Sequence, residues 1–376
     1  MDRPELQEWV TRHPTDGVAR VYLGVLLGRS GQSEEGLHQL RTGLKQKPDL
    51  HAARVRLARV LESRGETDEA VLVLQQGIRR GPLPPELGVE LGRLYTSAGQ
   101  SDRAVPLLTE VVRSHPTRAD AWYRLGQAHL RSNRPAEALD ALNRAADLAP
   151  RSAEYLSAAG EALRSRLRLP EAERRFRAAL SLNPSLFEAL YGLALTQRDQ
   201  GVDASAVRAG FQAAAAASPD NPLAHFALAG VCRDAGDLEG AERGYRAALE
   251  RVERREPPES LGWRAREEWL GAVEAPCYQL AAVLLRRRRP ADAAPFEARF
   301  KRLSSYRNEV RRLLARSAYR PTEGELHLRL GRFHAANGAP ELAEMELRTA
   351  IRLSDPPGAQ QALQGLLKLR KGSNTP

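Results

Sequence analysis

Few side chains in this sequence could ligate a metal or attack a substrate: eight histidines and two cysteines, Cys232 and Cys277. A metal centre needs three or four such ligands brought close together. His327 and His334 could share one helical face, but no third ligand stands near them in sequence. The chain has no C-x-x-C, no H-E-x-x-H and no G-x-S-x-G. It also lacks both glycine-rich phosphate signatures, G-x4-G-K-[ST] and G-x-G-x-x-G. No metal and no cofactor is expected, and an enzyme is disfavoured. The chemistry that remains is charge. Between Arg286 and Arg320, eleven Arg and one Lys face Asp292, Glu297 and Glu309, a net of +9 in a chain of +10. Such a run suits an acidic protein segment, anionic lipid headgroups or nucleic acid. The candidate basic patch is Arg286, Arg287, Arg288, Arg289, Arg302, Arg307, Arg311, Arg312 and Arg316. The bland alternative is a solvated helix face. The neighbouring aromatics Phe296, Phe300, Tyr306 and Tyr319 belong to no recognised RNA-binding module.

The elements that would carry these residues are announced by proline. Pro14, Pro48, Pro82, Pro116, Pro150 and Pro184 recur every 34 residues, and Pro219 follows one residue late. Thirty-four residues is about the length of two short antiparallel helices and their turns, the mark of a stacked helical repeat. In the unit 119–152, Trp122, Leu125, Gly126 and His129 hold positions 4, 7, 8 and 11. Ala138, Leu142, Ala145 and Pro150 hold 20, 24, 27 and 32. Both sets are stripes of helical period. Small residues at 8 and 20 let two helices approach closely. Glycine at 15 (Gly31, Gly65, Gly99, Gly201, Gly236, Gly338) marks the turn between them, and proline at 32 ends the second helix. The same ruler gives Cys232 and Cys277 the inward positions 11 and 4. It gives His129 and His334 position 11, and His225 and His327 position 4. The cysteines read as small core residues and the histidines as core or half-buried packers. His13 and His115 each precede a ladder proline, as turn residues.

Trp122-x2-Leu125-Gly126, then Ala138, Ala145 and Pro150, resembles the tetratricopeptide repeat. The resemblance covers most of the chain in nine units: 17–50, 51–84, 85–118, 119–152, 153–186, 187–221, 222–255, 274–307 and 324–357. The pentatricopeptide family has a similar length, but this chain lacks its uniform 35-residue period and keeps the Leu-Gly and Ala signature. The resemblance implies an all-α, right-handed superhelical solenoid with terminal capping helices. It also implies a groove lined by positions 2, 5, 9, 12 and 13 of the first helices. On this chain position 5 gives Tyr123, Tyr191, Phe226 and Tyr278, and position 12 gives Arg164, Arg198 and Arg233. Arg59, Arg93 and Arg332 hold position 9. An aromatic row beside an Arg row suits an extended segment with apolar and acidic side chains. The carboxylate clamp of chaperone-tail-binding members needs Lys at 5 and Asn at 9, and no unit has them.

Seven units fill 17–255 behind an N-terminal capping helix at 1–16. Residues 256–273, with Trp263 and Trp269, form an insertion that is either functional or a correction of the superhelical path. The eighth unit follows at 274–307, a basic helical spacer at 308–323, the ninth at 324–357, and a capping helix and tail at 358–376. Met1 to Val10 is polar, with neither a signal peptide nor a membrane span in view, so the expected compartment is cytoplasmic. The expected function is a non-enzymatic scaffold that binds a peptide or protein partner in its groove, an acidic one being a candidate, and supports complex assembly. The alternative is an adaptor for nucleic acid or another anionic surface through 286–320. Oligomeric state is open.

Overall fold

The computed structural model describes residues 3–30, 33–64, 66–78, 82–254, 263–319, 324–336 and 340–372. The described residues are all-α and form twenty helices. It divides into two compact units, Met1–Asp220 with Ser260–Ala265, and Asn221–Glu259 with Arg266–Pro376. The first unit begins with a lone helix α1 (Arg3–Arg12) and continues as six helix pairs. These are α2 (Gly17–Arg29) with α3 (Ser33–Gln46), α4 (His51–Ser63) with α5 (Thr67–Ile78), and α6 (Pro85–Ser97) with α7 (Ser101–Ser114). Then come α8 (Ala119–Arg131) with α9 (Pro135–Leu148), α10 (Ala153–Ser165) with α11 (Leu169–Leu182), and α12 (Phe187–Asp199) with α13 (Ala204–Ala217). The second unit is built from α14 (Pro222–Asp234), α15 (Leu238–Arg254), α16 (Trp263–Arg286), α17 (Pro290–Tyr319), α18 (Gly324–Ala336), α19 (Pro340–Leu353) and α20 (Ala359–Gly372). Where the sequence departs from its period, helices are lengthened: α16 runs 24 residues and α17 runs 30. No described helix is long and apolar enough to cross a membrane.

Eight pairs close on one bulky side chain, at position 24 or, in the 35-residue unit, at 25. Leu40, Leu74, Leu108, Leu142, Phe176 and Phe211 hold it in the first unit, Tyr245 and Leu347 in the second, and none is more than 2% exposed. The partner helix receives it where position 8 is small. A Cβ added to Gly126 would lie 2.4 Å from Leu142 Cγ, and one on Gly92 would lie 2.5 Å from Leu108 Cγ. Burying a Leu in this way contributes roughly 1.5–3 kcal/mol. Adjacent pairs are joined at the proline turns. The proline carbonyl, left without an N–H from the helix ladder, accepts from position 4 of the next helix. Arg20 Nε donates to the Pro14 oxygen at 2.9 Å, Arg54 Nε to Pro48 at 3.0 Å, and Trp122 Nε1 to Pro116 at 2.8 Å.

Position 15 ends the first helix in the left-handed region. Gly99, Gly201 and Gly236 have φ of 73°, 75° and 80°, a conformation glycine adopts freely. Three other repeats reach the same place with Asn133 (φ 56°), Leu167 (φ 59°) and Arg288 (φ 57°). A side chain there costs about 1–2 kcal/mol, less for asparagine. Leu167→Gly and Arg288→Gly are therefore expected to raise stability by about 0.5–1 kcal/mol after glycine's own entropy cost, and Asn133→Gly by less. Gly126→Ala should lower it by about 1–3 kcal/mol through overpacking against Leu142. Urea unfolding of the four variants measures the order.

Candidate functional site

In the first unit the first helices of successive repeats touch, α4 with α6, α6 with α8 and α10 with α12, so their outer faces are continuous. Two adjoining hollows open on that face and share Ala52 and Arg56. The larger, about 990 Å³, lies between α1, α2 and α4, and its floor is Val18, Val21, Tyr22, Val25 and Leu26. Tyr22 is 64% exposed, and Trp9 and Val18 are each 39% exposed. Three contacts hold its rim. Trp9 Nε1 donates to Asp16 Oδ2 at 3.1 Å, the Trp9 ring stacks on His13, and Asp16 Oδ1 caps α2 by accepting from the Val18 and Ala19 amides. The Ala19 amide first, then Trp9, hold the Asp16 carboxyl below its ordinary value.

The smaller hollow, about 470 Å³, lies between α4, α6 and α8 and is lined by charge. Glu90 is 2% exposed, and both its oxygens accept from Arg59, at 3.0 and 2.8 Å. Arg93 donates to Glu90 at 2.9 Å and to Glu62 at 3.0 Å. Burial pushes the Glu90 carboxyl up, but the hydrogen bonds from Arg59 and Arg93 outweigh it and leave it below the ordinary value. Arg118 bridges Glu86 at 2.8 Å and Asp120 at 2.9 Å. Arg56, at the junction of the two hollows, is exposed and has no ion pair among the described residues.

Further along the same face, Tyr123 is half-buried, stacks on Tyr155 at 4.7 Å, and its hydroxyl accepts from Gln127 at 2.8 Å. Tyr191 sits between Phe187 and Phe211 at 5.5 and 5.7 Å, and burial pushes its phenol up. Arg164 pairs with Glu161 at 2.7 Å and reaches Asp199 at 3.2 Å. Arg198 also meets Asp199 at 3.2 Å, so one carboxylate bridges two repeats. In the first unit Arg164 and Arg198 therefore meet at Asp199, while Tyr123 and Tyr191 pack on other rings and the acidic neighbours already engage the guanidiniums.

In the second unit Phe226 turns toward Tyr245 at 5.3 Å, while Tyr278 stays 52% exposed beside Phe300. Arg233 pairs with Asp234 and donates to Gln279 at 2.6 Å. The Arg-rich run is largely engaged within the fold. Arg287 holds Glu239 at 2.7 Å and Glu242 at 2.6 Å. Arg289 holds Glu242 and Asp292, and Arg312 holds Glu309. Arg299 pairs with Glu253 and Arg307 with Glu274. Arg286, Arg288, Arg302 and Arg311 are exposed, and the side chain of Arg316 lies outside the described residues, as do those of Trp263 and Trp269.

No group of three His, Cys, Asp or Glu that could hold a metal occurs among the described residues. Cys232 and Cys277 are buried in separate apolar clusters, and burial pushes the Cys277 thiol up. His129 is buried, which lowers its pKa. His334 bonds the Tyr306 hydroxyl, and His327 meets Glu346 at 2.7 Å. The ruler did not single out Val18, Val21, Tyr22 or Arg56. Positions 2, 5 and 9 of the first repeat are all valine, a signal available only if aliphatic residues are weighed with aromatic ones.

The sequence profile of the tetratricopeptide repeat matches residues 23–83, 89–153 and 157–222. No curated protein matches the chain. Among solved structures, a tetratricopeptide repeat protein from Parabacteroides merdae ATCC 43184 is 14% identical. It aligns over 69% of this chain and 98% of its own, with a TM-score of 0.54. The APC/C hetero-tetramer Cut9-Hcn1 is also 14% identical, over 93% of this chain and 63% of its own, with a TM-score of 0.51. YrrB, described as a TPR protein with an unusual peptide-binding site, is 18% identical over 50% of this chain and 96% of its own, with a TM-score of 0.40. At these identities the likeness is one of fold.

Glu90 offers a direct test of the charged hollow. A carboxylate held below its ordinary value contributes stability that is full above 4.5 and is lost as pH falls through the folded value. Glu90→Gln is expected to cost roughly 1–3 kcal/mol at neutral pH. The gap between wild type and variant should shrink as the buffer is acidified below 4.5. Urea melts across that range measure it.

Proposed function

Because the chain belongs to the tetratricopeptide repeat family, whose domains typically mediate protein–protein interactions, we propose that it is a non-enzymatic protein-binding scaffold. Its principal groove is the first-helix face of the first unit. The observation that carries this reading is the apolar hollow beside Tyr22, where large side chains stay exposed on a folded surface. An extended segment would place apolar side chains over Val18, Val21, Tyr22 and Val25. An acidic group would face Arg56, a cation with no ion pair among the described residues. Tyr123, Arg164, Tyr191 and Arg198 extend the same face for a longer segment, with rigid rings as contact area and guanidiniums shared with Asp199. Phe226, Arg233 and Tyr278 would supply a separate contact on the second unit.

A protein partner is favoured over a polyanion by how the Arg-rich run is used. Glu239, Glu242, Glu253 and Glu274 already neutralise Arg287, Arg289, Arg299 and Arg307, which leaves less unpaired charge for a phosphate backbone than the sequence suggests.

The test is a double variant, Tyr22→Ala with Arg56→Glu, compared with wild type in affinity capture and mass spectrometry. Loss of an exposed aromatic anchor costs about 2 kcal/mol at an interface, roughly thirtyfold in affinity. Partners retained by wild type should drop out, with unchanged urea midpoints. Identical partner sets would place binding elsewhere.

A further inference from the structure

We propose that the turn between α10 and α11, centred on Leu167, is a second docking surface whose occupant is an acidic protein segment carrying apolar side chains. Leu167 is 78% exposed, the most exposed large apolar side chain among the described residues. Its backbone is also in the left-handed region, where the same turn in three other repeats uses glycine. Leucine is thus the worse choice twice over for the folded chain alone, by strain and by exposure. A partner that covers the side chain would offset both. In the following repeat the equivalent turn again exposes an aliphatic residue, Val202.

The surroundings of Leu167 select the partner's charge. Arg166 and Arg174 are exposed and Arg175 is half-buried, and none of the three forms an ion pair among the described residues. That contrasts with Arg168, which both oxygens of Glu171 hold at 2.7 and 2.6 Å. Beside the turn is a hollow of about 370 Å³ lined by Asn143, Leu163, Arg168, Glu171, Arg174 and Arg175. Its lining sets three Arg against the one carboxylate of Glu171. The hollow also lies at the start of α11, where the helix dipole favours negative charge. An Asp or Glu side chain of the partner could enter it while a neighbouring apolar side chain covers Leu167.

Nucleic acid fits less well. None of the hollow's lining residues is aromatic, so it offers a base no ring to stack on. The surface is distinct from the Tyr22 groove and does not depend on it.

Selection of random dodecapeptides on four full-length proteins tests the proposal. These are wild type, Leu167→Gly, Arg174→Glu with Arg175→Glu, and the groove variant Tyr22→Ala with Arg56→Glu. The expected result is a set of peptides rich in Asp or Glu beside apolar residues. They bind wild type and the groove variant alike, and lose about tenfold or more on Leu167→Gly and on the double charge reversal. Because Leu167→Gly relieves backbone strain, its loss of binding cannot be put down to unfolding, and a urea melt verifies this. The proposal is overturned if no enriched peptide depends on Leu167, or if the dependent peptides carry no acidic residues. A single-stranded oligonucleotide whose binding is lost on Leu167→Gly would also overturn it.

Discussion

The contact on which the rest of the structure depends is one large side chain from the second helix of each repeat seated against a small residue of the first. Leu142 can lie against Gly126 only because no Cβ intervenes, and the two helix axes come together at a fixed depth as a result. Once that depth is set, the position-4 side chain of the next helix falls within reach of the preceding proline carbonyl. The closure of one pair and its junction to the next are therefore a single geometric condition, met repeatedly. The wet faces of the first helices remain free to vary.

Much of this was legible in the sequence because the packing contacts are local and periodic. The proline ladder, the small residues at 8 and 20 and the bulk at 24 each occupy a slot defined by spacing alone. Cys232, Cys277, His129 and His334 fell into core slots on the same ruler, and all four are buried. The groove was less legible. Position 5 indicated Tyr123 and Tyr191 on the face in question, but exposure depends on what the neighbouring repeat presents. Tyr22, at position 6, stands out in solvent in the hollow it shares with Leu6 and Trp9 of α1. The burial of Glu90 was invisible, since nothing in the residue type reports it, whereas Leu167 falls on position 15, the slot that glycine marks in other units.

Charge was where sequence and structure diverged most. A net of +9 over thirty-five residues reads as a surface for anions, yet four of the acids that meet it, Glu239, Glu242, Glu253 and Glu274, lie outside the run. Arg287 and Glu239 are 48 residues apart, and Arg307 and Glu274 are 33 apart. In the first unit Arg59 and Glu90, Arg93 and Glu62, and Arg118 and Glu86 are separated by 31, 31 and 32 residues. Individually such pairs contribute little when exposed. Arg59 with Glu90, Arg93 with Glu62 and Arg287 with Glu239 join one repeat to the next, whereas Arg118 with Glu86 and Arg307 with Glu274 tie the two ends of a single unit.

That alternation gives the repeats an address. Position 6 of the third repeat is Glu90 and the same position of the fourth is Arg124. Excising residues 85–118 would preserve every packing slot and every turn, but it would bring Arg59 up against Arg124 in place of Glu90. Two guanidiniums would then share a place built for a guanidinium and a carboxylate. Repeats that are interchangeable as shapes are not interchangeable as neighbours, so the loss of this unit carries a penalty to which a uniform solenoid would be indifferent.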